Sequence, residues 1–242
     1  MALFFKLLLF IAAFLYAMVG HGGASSYLAI FALSDSVSPE QMRSTALVMN
    51  ISVSLVSFLS YRANKHFEGK VLMVILSASV PAAFIGGMIR LPGSLYLTLL
   101  GGVLLLVGLR VAGLGKETGE LSPMPMYGGI LAGLMIGLLS GIVGIGGGVL
   151  LSPLILLMRW APIKTTAGIS AAFIFFNSVA GIIGIYSSGQ LDIHPETGWW
   201  IALVIIGGFA GALLGSRWMA PQTIRYALAV VLLFAGVKLL LF

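Results

Sequence analysis

The stretch GLLSGIVGIGGGVLLSPLILL, residues 137–157, places a cluster of glycines inside an otherwise continuous apolar segment. Its flanks have the composition of a membrane-buried helix, whereas a glycine in a helix interior costs about 1 kcal/mol relative to alanine. The central glycines are Gly141, Gly144, Gly146, Gly147 and Gly148. The stretch therefore predicts two apolar half-helices that meet at a glycine loop.

The composition of the whole chain is that of an integral membrane protein. Of its 242 residues 60% are hydrophobic and 8% are charged, whereas soluble domains carry about 25% charged residues. The apolar runs are continuous and near the length of one membrane crossing, which predicts helices rather than strands. No polar stretch is long enough for a soluble domain, so we expect no enzymatic or nucleic-acid-binding module. The absence of cysteine excludes disulfides and thiolate metal sites.

The chain divides into apolar segments and one long polar connector. The first segment resembles a signal peptide, but it has a counterpart in the second half, so we expect it to be retained. The connector carries glycine, proline and charges and separates a first repeat, 1–112, from a second, 128–242, with a cytoplasmic linker at 113–127. The eight apolar segments are 4–33, 44–61, 71–90, 95–112, 128–158, 166–187, 198–216 and 223–241.

The two halves resemble each other in the same order. MVGHGGASSYLAIFAL (18–33) matches IVGIGGGVLLSPLILL (142–157), and STALVMNISVSLVSFLSY (44–61) matches TTAGISAAFIFFNSVAGIIGIY (165–186). Several matches in one order indicate an internal repeat.

Loop charges predict that the repeats are inverted. The loop after the second segment contains Arg62, Lys65 and Lys70, whereas the equivalent loop at 187–198 has acids and neither Lys nor Arg. By the positive-inside rule these loops lie on opposite sides of the membrane. Segment 128–158 follows the cytoplasmic linker, and Arg159 and Lys164 indicate that the loop after it is also cytoplasmic. The segment must therefore enter and leave the membrane on one face.

The predicted fold is thus an all-α integral membrane protein of the cytoplasmic membrane. We expect about seven to eight transmembrane segments in two inverted repeats, each with a Gly-rich broken or re-entrant helix. Whether 4–33 crosses the membrane or re-enters is left open, because Lys6 favours a cytoplasmic N-terminus.

The residues inside the apolar segments favour an anion over a cation. Every Asp and Glu lies in a predicted loop or segment end, whereas cation carriers place carboxylates within the membrane. A helix begins after each glycine cluster, near Ala24 and near Gly148, and a helix N-terminus offers free N–H groups and a positive dipole end. Two such ends suit a small oxyanion. Close helix packing is the alternative, and it explains the isolated glycines better.

The remaining candidates are polar side chains near these glycines. His21 could exchange a proton, since its unperturbed pKa is about 6.5, or it could simply be a packed, hydrogen-bonded group. Asn50 and Asn177 occur in matching helices; we expect them to line or support the site, and hydrogen bonding between helices is the alternative. We predict no cofactor and no metal, and as partners a small anion and the lipid bilayer. The predicted substrate-binding residues are Gly20, His21, Gly22, Gly23, Ser25, Asn50, Gly144, Gly146, Gly147, Gly148 and Asn177.

With these motifs the chain resembles the TauE/SafE sulfite exporter family. The resemblance covers nearly the full chain and is carried by Gly137, Gly141, Gly144, Gly146, Gly147, Gly148 and Pro153 in the second copy. The first copy departs from the pattern, with His21 in its glycine cluster and no proline after Ser25–Ser26. The resemblance implies export of sulfite, sulfoacetate or related organosulfur anions across the cytoplasmic membrane. A passive anion channel and a non-transport membrane subunit are the competing hypotheses.

Overall fold

A computed structural model describes residues 2–34, 37–113 and 120–217, together with 233, 237 and 240. The described residues are helical, with no strand among them. The predicted segment 223–241 lies almost wholly outside the described residues. The helices are α1 Ala2–Ala17, α2 Ala24–Ala32, α3 Pro39–Ala63, α4 Gly69–Met88, α5 Gly93–Gly113, α6 Met126–Val143, α7 Gly148–Leu157, α8 Ile163–Ser187 and α9 Thr197–Arg217.

Two of the predicted segments are broken helices. The first glycine loop, 18–23, separates α1 from α2, and the second glycine loop, 144–147, separates α6 from α7. α2 begins at Ala24 and α7 at Gly148, the two positions that the sequence predicts. Gly146 has a φ of 70°, in the left-handed region where a side chain is strained. The breaks therefore follow directly from the glycines.

One end of the helix bundle holds the loops that connect α3 to α4 and α7 to α8. We call this end the basic face, because Arg62, Lys65 and Lys70 lie there. The backbone N–H of Ser122, before α6, donates to the carbonyl of Arg159, after α7, at 2.9 Å. Both ends of the α6–α7 pair therefore lie at this face. Lys164 Nζ donates to the carbonyl of Ser216 at 3.3 Å, which brings the end of α9 to the same place.

The opposite end, the distal face, is organised by the loop at 188–196. Lys6 forms an ion pair with Glu196 at 3.2 Å, and Gln41 Nε2 donates to Asp192 Oδ1 at 3.2 Å. The start of α1 and the start of α3 are thus at the same face. The loop between α2 and α3 therefore lies at the same face as the start of α1.

Glycines let α1 and α6, the longer helix of each broken pair, pack directly on another helix. α6 packs on α4 and α1 packs on α9, and in both pairs glycines spaced four residues apart meet backbone carbonyls so closely that a Cβ has no room. Gly133, Gly137 and Gly141 meet Ile75, Ser79 and Ala83, while Gly207, Gly211 and Gly215 meet Phe10, Phe14 and Met18. Packing is therefore the role of Gly137 and Gly141.

The long helices α3, α4, α6, α8 and α9 are apolar and long enough to span a bilayer. α3 and α8 pack against each other in the middle of the bundle, with α2 against α3 and α7 against α8. The chain is thus a multi-pass membrane protein with both glycine loops inside the bundle.

Candidate functional site

The two glycine loops meet at the side chain of Asn50, on α3. Its Oδ1 accepts a hydrogen bond from the N–H of Ala24, the first residue of α2, at 3.2 Å. Its Nδ2 donates to Ser178 Oγ on α8 at 2.9 Å. Asn50 is fully buried, so its carboxamide satisfies a helix N-terminus inside the bundle.

Gly22 and Gly146 enclose this carboxamide from the two loops. A Cβ on Gly22 would overlap Asn50 Oδ1, and a Cβ on Gly146 would overlap Nδ2. The absence of side chains at these two positions is what allows α3 to come between the loops.

His21, in the first glycine loop, is bound to the other half of the chain. Its Nε2 lies 2.8 Å from Ser152 Oγ and 3.2 Å from the carbonyl of Gly148. Ser152 Oγ lies in turn 2.7 Å from Ser170 Oγ. The carbonyl can only accept, whereas either hydroxyl can donate or accept. The imidazole and two hydroxyls therefore form one connected hydrogen-bonded chain through α7 and α8.

Other predicted residues have separate environments. Ser25 Oγ donates to the Tyr16 hydroxyl at 2.9 Å. Asn177 Nδ2 donates to Ser79 Oγ at 3.1 Å and to the carbonyl of Phe173 at 2.8 Å, so its contacts are with α4 and its own helix. Gly20, Gly23, Gly144 and Gly147 line the loops against Ala167, Tyr27, Arg43 and Phe173 respectively. The structure thus brings together His21, Gly22, Asn50, Gly146 and Gly148.

Sequence reasoning missed the groups that hold the ends of the two loops. The Tyr61 hydroxyl donates to the carbonyl of Met18 at 2.6 Å, and the Tyr96 hydroxyl donates to that of Val143 at 3.1 Å. These two carbonyls lie at the ends of α1 and α6. The last carbonyls of a helix have no partner within it and need a donor from outside. Ser152 was missed as well, because it lies in a plain apolar run.

A cavity of about 350 Å³ opens at the distal face, and its wall contains none of the predicted site residues. It lies between the start of α3, the 89–92 loop and the 189–192 loop, and Arg43, Arg90 and Tyr96 contribute to its wall. Among the described residues, no three His, Asp or Glu side chains are grouped closely enough to hold a metal ion.

Comparison with known protein families finds one that matches almost the whole chain. The family described as "Sulfite exporter TauE/SafE" matches residues 5–239. The chain is 33% identical over 236 residues to "Probable membrane transporter protein y4hK" of Sinorhizobium fredii (strain NBRC 101917 / NGR234), which covers 96% of this chain and 95% of that protein.

More distant relatives have names of the same kind. "Probable membrane transporter protein YdhB" of Bacillus subtilis (strain 168) is 22% identical over 245 residues, 97% of this chain and 98% of that protein. YunE of the same organism, also named a probable membrane transporter protein, is 32% identical over 116 residues, 46% of this chain and 40% of that protein. No solved structure matches. The chain is a multi-pass membrane transporter, and it belongs to the TauE/SafE sulfite exporter family.

Proposed function

We propose that the protein is a secondary transporter that exports small sulfur-containing oxyanions, such as sulfite or organosulfonates, across the cell membrane. The observation that carries the proposal is the meeting of both glycine loops at Asn50, where its Oδ1 accepts the first N–H of α2. That N–H is the type of donor that binds an oxyanion oxygen. In this proposal a sulfite or sulfonate oxygen binds at this junction, where the Asn50 carboxamide supports both loops.

The charges around the loops support an anionic substrate. α2 and α7 both begin at the glycine loops, and their N-termini are the positive ends of the helix dipoles. Of the acids, Glu40, Glu68, Glu120, Asp192 and Glu196 lie in loops or at helix ends, whereas Asp35 and Glu117 lie outside the described residues. The description of the family supports sulfur as the central atom of the substrate.

The architecture that we propose is a pair of inverted repeats, 1–112 and 128–242, with the linker 113–127 on the cytoplasmic side. The packing supports this, because several helix pairs have counterparts when the halves are exchanged: α4 on α6 matches α9 on α1, and α2 on α3 matches α7 on α8. Each broken helix is re-entrant, since its two ends lie at one face. The basic face, which carries Arg62, Lys65 and Lys70, is cytoplasmic.

Export is coupled to protons through His21 in this proposal. Its imidazole joins the two halves of the chain through Ser152, which leads to Ser170, so a change of charge at His21 acts on the contact between the halves. In the His21→Gln protein, binding of sulfite should be retained while flux no longer responds to a pH gradient. A variant whose flux still follows the gradient would exclude His21 as the coupling group.

The function is tested with purified protein in liposomes. We expect saturable flux of sulfite or methanesulfonate that depends on the proton gradient, with sulfate and thiosulfate as competitors. Flux that saturates poorly and ignores the gradient would indicate a passive anion channel. No flux of any of these anions, together with a protein that copurifies, would indicate a non-transport subunit.

A further inference from the structure

The cavity at the distal face contains a buried guanidinium without an ion-pair partner. Arg43 lies in the first turns of α3 and is only 9% exposed. Its Nη1 donates to the carbonyl of Ile89 at 2.8 Å, and its Nη2 donates to those of Gly86 and Gly87. Its Nε has no hydrogen-bond partner among the described residues. The side chain therefore caps the end of α4 through neutral carbonyls, and its full positive charge is not paired.

A second guanidinium, that of Arg90, lines the same cavity. Neither arginine forms an ion pair with a described carboxylate. Two acids also lie in the wall: Glu40, in the first turn of α3, where the helix dipole stabilises a negative charge, and Asp192, which accepts a hydrogen bond from Gln41 Nε2. The cavity wall thus carries two guanidinium groups, neither paired with a carboxylate among the described residues, and their positive charge attracts a mobile anion.

The cavity borders the second glycine loop. A Cβ on Gly144 would lie 2.8 Å from Cγ of Arg43, and Tyr96, also in the wall, binds the carbonyl of Val143. Arg43 and Tyr96 therefore contact both the cavity and the second glycine loop. Leu91, Ile185 and Leu191 add apolar surface to the wall.

We propose that this cavity is the site through which the oxyanion passes at the distal face, with Arg43 and Arg90 binding a sulfonate headgroup and the apolar wall contacting its carbon tail. The inference rests on the proposed function for the identity of the anion. Guanidinium groups match the geometry of oxyanions, and a cleft with unpaired positive charge concentrates anions.

The test uses cysteine labelling, which the absence of native cysteine makes specific. The Leu191→Cys protein is treated with 2-sulfonatoethyl methanethiosulfonate and with its trimethylammonium analogue. The ratio of the two rates should exceed that of a reference, Trp199→Cys, by about tenfold. Trp199 is 78% exposed and is not part of the cavity wall. Methanesulfonate should slow labelling of the Leu191→Cys protein only. Equal ratios in the two proteins would overturn the proposal.

Charge reversal then identifies the groups responsible. Arg90 is exposed, so Arg90→Glu should leave the fold intact and remove the preference for the sulfonate reagent. Arg62→Glu, the same change on the exposed basic face, should leave it unchanged. Arg43→Gln should also lower the ratio of the two labelling rates. If the Arg43→Gln protein does not fold, the result with Arg90→Glu provides the test. A preference that survives Arg90→Glu would overturn the role of the arginines.

Labelling does not require transport, so the two proposals fail separately. A sulfonate preference in a protein that carries no sulfonate would contradict the proposed function alone. Gradient-driven flux in a protein with no preference would contradict the distal site alone.

Discussion

Asn50 and Asn177 occur once in each half of the chain, yet they have different partners. Asn50 bonds to Ala24 at a glycine loop and to Ser178, whereas Asn177 bonds to Ser79 and to its own helix. Sequence matching treats them as equivalent, because each is the single asparagine of an apolar helix. Their depth along α3 and α8 differs, and that depth decides which side chain reaches the loops.

The two asparagines should therefore differ when each is replaced by alanine. Both substitutions leave buried polar groups unpaired and should lower stability by about 1–3 kcal/mol. Only Asn50→Ala should also abolish oxyanion flux, since it alone alters the contact between the loops. Melting curves in detergent and liposome flux measure the two effects. Equal flux in both variants would contradict the central role of Asn50.

Gly22 allows a second prediction with a matched control. The added methyl of Gly22→Ala would overlap Asn50 Oδ1, whereas a Cβ on Gly198 meets no atom within 4 Å. Gly22→Ala should reduce flux about tenfold, the effect of losing one buried hydrogen bond at the site. Gly198→Ala should transport as the wild type does. Normal flux in Gly22→Ala would show that the first loop only packs.

At the scale of elements, the broken helices were the easiest feature to predict and their direction the hardest. Runs of glycine inside apolar segments specify breaks at 18–23 and 144–147, because glycine disfavours the helix interior. The direction of the first segment could not be predicted, since Lys6 favours a cytoplasmic start. In the structure Lys6 pairs with Glu196, which is remote in sequence. The hydrogen bonds by which Tyr61 and Tyr96 cap helix ends could not be predicted from the sequence either, since each joins residues more than forty positions apart.

The re-entrant proposal predicts the sidedness of each element's ends. Cysteines at Ser122 and Met158 flank the α6–α7 pair, and both should react with an impermeant maleimide only from the cytoplasm. Leu3→Cys and Leu33→Cys, which flank α1 and α2, should both react only from outside. Labelling of one pair from two different sides would show that the corresponding broken helix crosses the membrane.

At the scale of the whole molecule, the basic and distal faces differ in charge. Arg62, Lys65, Lys70, Arg159, Lys164 and Arg217 lie on or next to the basic face, whereas Lys6, Arg43 and Arg90 share the distal face with Glu40, Asp192 and Glu196. This asymmetry was predictable from the loops, because orientation depends on Lys and Arg near the ends of the spans. The cavity between Arg43 and Arg90 was not, since it depends on the start of α3 and two loops coming together.

The proposed orientation predicts opposite labelling of two loops. Gly69→Cys should react from the cytoplasm, in inverted vesicles, and Gly189→Cys should react in intact cells. Both positions are open enough for a side chain, since the closest atom to a Cβ on Gly69 is 3.7 Å away and none lies within 4 Å of one on Gly189. Reaction of both from the same side would refute the inverted arrangement.

The glycine contacts between α1 and α9 have a consequence for biosynthesis. α1 ends at Ala17, whereas Gly207, Gly211 and Gly215, on which it packs, are translated about 190 to 200 residues later. At about 5–20 residues per second, the ribosome adds α9 roughly ten to forty seconds after α1 has emerged. During that interval the first broken helix must be held by lipid or by the insertion machinery, with its glycine loop unshielded. α9 therefore completes a helix pair whose other member, α1, is made much earlier.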